Sequence, residues 1–186
     1  MDKFFGNLNL VLGLGFALAG VLMAVFHVDE ANLSAILQWL HVFFGIIWIG
    51  LLYYFNFVQT PVMPTVPAEL KPGVSKYIAP KALFYFRWGA ALTVLTGLIL
   101  AYVNGFAKEA LTFQPGFELI GTGMWLALIM AFNVWFVIWP NQKKVLGFVE
   151  ADDGAKAAAV RIAGFASRTN VLLSIPMLYA MTAYRY

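Results

Sequence analysis

Five long apolar stretches, separated by short polar ones, set the pattern of this chain. They cover about 8–26, 33–58, 82–103, 119–139 and 165–184. Each is close to the roughly 20 residues a helix needs to cross the hydrocarbon core of a bilayer. A segment in lipid has to satisfy its own backbone hydrogen bonds, so each is read as a helix. The expected fold is an all-α integral membrane protein, a single domain over 1–186 built as a bundle of five transmembrane helices. The first stretch imitates a signal peptide, with Lys3 as a basic start and Ala17-Leu18-Ala19 as a mock cleavage site. Its apolar run goes on to Phe26, beyond the roughly 7–15 residues of a signal sequence, so it is read as a retained span.

The basic residues set the expected orientation. Every lysine and arginine except Lys108 and Arg185 lies before span one, between spans two and three, between spans four and five, or just inside the adjoining span ends. Basic residues collect on the cytoplasmic side, which puts the N-terminus in the cytoplasm and the C-terminus outside. On this reading 59–81 is a cytoplasmic loop rich in proline (Pro61, Pro64, Pro67, Pro72, Pro80). The Ala-rich stretch 147–162 is a second cytoplasmic loop with a short surface helix. Trp39, Trp88, Trp125, Trp139, Tyr53 and Tyr54 fall near span ends and read as interfacial anchors.

Composition agrees with a membrane protein and narrows its function. Hydrophobic residues make up 62% of the 186 and charged residues 11%, against roughly a quarter charged in a soluble domain. This excludes an ordinary cytosolic domain, a disordered chain and a nucleic-acid binder. The net charge of +3 follows from the basic loops. The absence of cysteine excludes disulfides, thiolate metal sites, iron–sulfur clusters and a covalently attached haem on this chain. Any cofactor is held by nitrogen or oxygen ligands, or by methionine.

Ionisable groups inside spans are few, and each is a candidate for function. His41 lies about seven residues into span two, roughly 10 Å deep at 1.5 Å per residue. Gly45 and Trp48 follow at i+4 and i+7 on the same helix face. A neutral imidazole with a glycine one turn away suits a flat macrocycle such as haem b, with His41 on the iron. The competing reading is a histidine bonded to a neighbouring helix, with the glycines serving close packing. His27, beside Asp29 and Glu30, is the one other histidine and the only partner within the chain for a bis-histidine haem. Arg87 either snorkels to the headgroups or reaches an anion such as a haem propionate or a substrate carboxylate. Asn133 in span four is a candidate site residue or an interhelical hydrogen bond. Arg168, Thr169, Asn170 and Ser174 make the start of span five polar, and Pro176 is expected to bend it. There is no paired intramembrane carboxylate, phosphate loop, dinucleotide fingerprint or clustered metal ligand set.

Four stretches resemble the membrane domain of the bacterial cytochrome c-linked urate oxidases, also described as urate hydroxylases. One is Trp39-Leu-His41 with Gly45-Ile-Ile-Trp48-Ile-Gly50 and Tyr53-Tyr54-Phe55. A second is Tyr77-Ile-Ala79-Pro80 leading to Phe86-Arg87-Trp88. The third and most specific is Asn133-Val-Trp-Phe-Val-Ile138-Trp-Pro140-Asn141-Gln142-Lys143. The fourth is Ser167-Arg-Thr-Asn170 with Ser174-Ile-Pro176. Together they run in order over about 39–176. The resemblance implies a helical membrane fold, redox chemistry and an electron-accepting cytochrome. Full-length members carry more spans and a C-terminal cytochrome c domain, whereas this chain has no Cys-x-x-Cys-His. A histidine and a second asparagine expected around Thr169 and Val171 are also absent.

Three functions compete on this reading. The first is a redox protein of the bacterial inner membrane that binds haem b through His41, with Gly45, Trp48, Arg87 and Asn133 around the cofactor. It would pass electrons to a separate cytochrome. The second is a non-catalytic accessory subunit of a larger membrane complex, surrounded by lipid and other membrane proteins. A transporter is the third, and the lack of charged midplane groups tells against it.

Overall fold

In the computed structural model the described residues are 5–26 and 33–184. His27, Asp29 and Glu30 lie outside them, so the bis-histidine pairing does too. All the regular elements among the described residues are helices. Contacts divide the chain into two compact units, Met1–Ile36 and Leu37–Tyr186. In the first unit, helix α1 (Leu8–Phe26) has the expected bounds and buries none of its residues. A helix that is apolar all round and unburied is at home only in lipid.

The remaining helices are α2 (Leu33–Thr65), α3 (Lys71–Val103), α4 (Ala107–Leu111), α5 (Glu118–Val145) and α6 (Asp153–Ala183). Four helices, α1, α2, α3 and α5, are long and apolar enough to cross a membrane. The stretch expected as the fifth span, 165–184, lies largely within α6. That helix carries Arg161, Arg168, Asn170 and Ser174 along its length and does not reach the same apolarity.

The helices run past their expected ends, and proline explains why. The expected proline-rich loop is mostly helix: α2 continues to Thr65 and α3 begins at Lys71. Three stretches widen to π geometry: Tyr54–Gln59, Val74–Ile78 and Asn133–Ile138. Each ends two residues before a proline, namely Pro61, Pro80 and Pro140. Proline lacks an N–H, and its ring meets the carbonyl four residues back. Shifting the preceding turn to i→i+5 bonding moves that carbonyl away and lets the helix go on. At the other boundary, Asp152 caps α6 by accepting from the Ala155 N–H at 2.7 Å. The helix thus starts at Asp153 rather than near 165.

The core of the second unit gathers Trp48, Leu52, Phe86, Ala90, Met130, Val134 and Met177 from α2, α3, α5 and α6. Side-chain amides and hydroxyls pin α6 beside it. Tyr53 Oη and Ser174 Oγ are 3.0 Å apart. Asn56 Nδ2 donates to Ser167 Oγ at 2.8 Å. Asn133 Nδ2 donates to Asn170 Oδ1, and Asn170 Nδ2 to the Met130 carbonyl, each at 3.0 Å. Asn170 is fully buried, and it serves a carbonyl at the edge of the π turn, where regular pairing is broken. Tyr53, one of the aromatics near a span end, thus also links α2 to α6. At the opposite end, α4 folds back on α5, where Gly121 meets the Ala110 carbonyl so closely that a Cβ would collide with it.

Candidate functional site

His41 is placed by a close antiparallel crossing of α2 over α3. Three pairs define it: Trp48 with Gly89, Gly45 with Thr93, and His41 with Gly97. A Cβ on Gly89 would lie 3.2 Å from the Trp48 backbone nitrogen, so glycine is what lets the helices touch. On Gly97 a Cβ would lie 2.6 Å from His41 Cε1 and 2.8 Å from Nδ1. The imidazole therefore occupies the space that a side chain would take. A small residue every fourth position is how membrane helices approach closely.

The ring's orientation follows from one hydrogen bond. His41 Nδ1 is 2.8 Å from the carbonyl oxygen of Thr93. A carbonyl only accepts, so in the neutral ring Nδ1 carries the proton and Nε2 keeps its lone pair. That is the usual arrangement of a metal-ligating histidine, whose second nitrogen is fixed by a backbone carbonyl. Of the two readings of His41, the bond to a neighbouring helix is present, and it leaves Nε2 outside that bond.

His41 lines a cavity of about 490 Å³ between α2, α3, α5 and α6, well within the range of roughly 300–1,000 Å³ for small-molecule sites. Gly45 and Trp48 line it too. A Cβ on Gly45 would meet α3 only at an ordinary 3.8 Å, so what its absence leaves is room in the cavity. Trp48 is fully buried, and its Nε1 has no hydrogen-bond partner. Gln38, Thr93 and Thr182 supply the other polar side chains. Both threonine hydroxyls are already donated to their own helices, to Gly89 and Leu178. The lining side chains with polar groups outside the bonds described are thus Gln38, His41 (Nε2) and Trp48 (Nε1), in an otherwise apolar wall that includes Met124, Met177 and Met181. Among the described residues no group of three or more His, Cys, Asp or Glu could hold a metal ion.

Arg87 and Asn133 lie elsewhere. Arg87 sits ten residues before Gly97 on α3, roughly 15 Å along the helix. Its guanidinium carbon is 3.4 Å above the Trp139 ring centroid and 5.9 Å from that of Trp135, and Trp135 Nε1 donates to its carbonyl at 3.2 Å. Asn133 is taken up by Asn170. The expected five-residue constellation therefore falls into three places: His41, Gly45 and Trp48 at the cavity, Arg87 on the tryptophans, and Asn133 in the α5–α6 pin. Thr93 and Gly97 were not singled out from the sequence. The signal was present as Gly89, Thr93 and Gly97 spaced by four.

Residues 106–186 match the family model described as urate oxidase N-terminal. The matched part holds α4, α5 and α6 and is similar to that family over less than half of the chain. No curated protein and no solved structure matches the chain.

Proposed function

We propose that this chain is a membrane redox protein that holds haem b on His41 in the cavity between α2, α3, α5 and α6. The observation that carries the reading is the His41–Thr93 bond, which leaves the Nε2 lone pair free on an imidazole that lines a largely apolar cavity. The residues fit the group. Gly97 makes room for the His41 ring itself, Gly45 leaves clearance beside it, and the apolar wall excludes water. Met124, Met177 and Met181 are the remaining donors able to meet an iron. Gln38, about one turn from His41 toward the start of α2, would offer the group a polar side chain. Bound haem supplies one-electron chemistry; the chain fixes the ligand's tautomer and sets the polarity of the surroundings.

The charge pattern supports a cytoplasmic N-terminus, which turns the cavity end of the bundle outward, toward a cytochrome acceptor in the space outside a bacterial inner membrane. The relation of 106–186 to urate oxidases supports urate as the first reductant to try. The test is haem content by pyridine haemochrome on the purified protein, followed by urate-dependent reduction of added cytochrome c. Haem at a fixed ratio to chain supports the reading, and a haem-free but folded protein overturns it.

One observation favours the accessory-subunit reading. Several residues that carry the urate oxidase resemblance (Tyr53, Asn133, Ser167, Asn170, Ser174) are engaged in bonds between helices. On this second reading the chain has kept the family's packing and lost its chemistry. A colourless protein recovered with larger membrane proteins would favour it.

A further inference from the structure

Arg87 raises a question that the His41 cavity does not answer. It is a cation within a membrane-capable helix, and two of its nitrogens, Nε and Nη1, are enclosed without a hydrogen-bond partner. Helix α3 contains no Asp or Glu, and the only acidic residue of α5 is Glu118 at its far end. Among the described residues no carboxylate pairs with Arg87. A second cation shares the Trp139 ring, with Lys143 Nζ 5.9 Å from its centroid. Trp135 and Trp139, on either side of the end of the π turn, both lie against Arg87.

An aromatic floor holds a guanidinium in place and offsets part of its lost hydration. It does not satisfy N–H donors, and it does not relieve two cations that share one ring. Both needs are met by an oxyanion, which a guanidinium fork binds with two parallel bonds. We infer that Arg87, seated on Trp139 with Lys143 near the same ring, receives an oxyanion from outside the chain: the phosphate of an anionic lipid headgroup or a small soluble oxyanion. The site is separate from the His41 cavity and does not depend on haem.

The experiment uses the full chain in phosphatidylcholine nanodiscs and reads intrinsic tryptophan fluorescence. One arm titrates inorganic phosphate, and a second titrates benzoate. A third compares nanodiscs of phosphatidylcholine alone with equal parts phosphatidylcholine and phosphatidylglycerol. A saturable response in either of the first two arms assigns a soluble oxyanion; a response confined to the third assigns a lipid phosphate. In either case Arg87→Gln abolishes it, and Arg87→Lys weakens it about tenfold by losing the paired bonds. Lys143→Gln, outside the buried contact, weakens it a few-fold and keeps the test open if the Arg87 variants do not fold. No response in any arm from folded wild-type protein overturns the inference. So does a response that Arg87→Gln or, failing that variant, Lys143→Gln leaves unchanged.

Discussion

The His41 imidazole gives its Nδ1 proton to the Thr93 carbonyl at 2.8 Å and rests on the bare Cα of Gly97. One residue of α3 thus sets the ring's tautomer, and another makes room for it. A loosely held histidine would sample rotamers and both tautomers. This one is held in a single tautomer by the Thr93 carbonyl, with the lone pair on Nε2.

Gly97→Ala tests that placement without touching the histidine. The new methyl would lie 2.6 Å from His41 Cε1, and the ring, as the end of a side chain, is what gives way. Haem content should fall to the level of His41→Ala while helical circular dichroism stays at the wild-type value. Full haem content in Gly97→Ala would show that the ring does not depend on this space.

Gly121→Ala is expected to act on stability instead. Its methyl meets the Ala110 carbonyl and approaches the Phe113 ring to 3.3 Å. Backbone cannot rotate away, so the turn carrying α4 must shift, at a cost of roughly 1–3 kcal/mol as in other overpacked sites. Unfolding in mixed detergent micelles measures it; a midpoint equal to wild type would contradict the contact.

The Asn133–Asn170 pair invites a double-mutant cycle. Asn170→Leu removes a fully buried amide and leaves the Met130 carbonyl and the Asn133 amide without their partner. The expected loss is about 1–2 kcal/mol, typical of polar contacts between membrane helices. Adding Asn133→Leu should cost less than its own single-variant effect, since the shared bond is already gone. Strict additivity would mean that the two side chains do not act together.

Much of this architecture was legible in the hydrophobic pattern, and the parts that were not have physical causes. The bounds of α1 and the end of α3 at Val103 follow directly from where the apolar runs stop. The proline-rich stretch misled because proline usually ends a helix, and a π turn before each of Pro61, Pro80 and Pro140 removes the clash that would end it. The early start of α6 was written in Asp152, a cap whose message was masked by the polar residues after it. His41 stood out as a rare ionisable group in a span. Its partners did not, because a crossing of two helices leaves no mark on the periodicity of either. Only the recurrence of small residues at Gly89, Thr93 and Gly97 hinted at it. Arg87 and His41 seemed to belong to one site because both are rare in spans. Their separation along α3 is a property of packing that spacing in the sequence does not express.

The most direct test of the account is the dithionite-reduced minus air-oxidised absorption spectrum of the detergent-purified protein, recorded for wild type and His41→Ala at equal chain concentration. The account predicts b-type bands in wild type at a level of a haem for each chain, and their loss in a His41→Ala protein that is still folded. A folded wild-type protein without such bands, or bands of equal strength in His41→Ala, would contradict it.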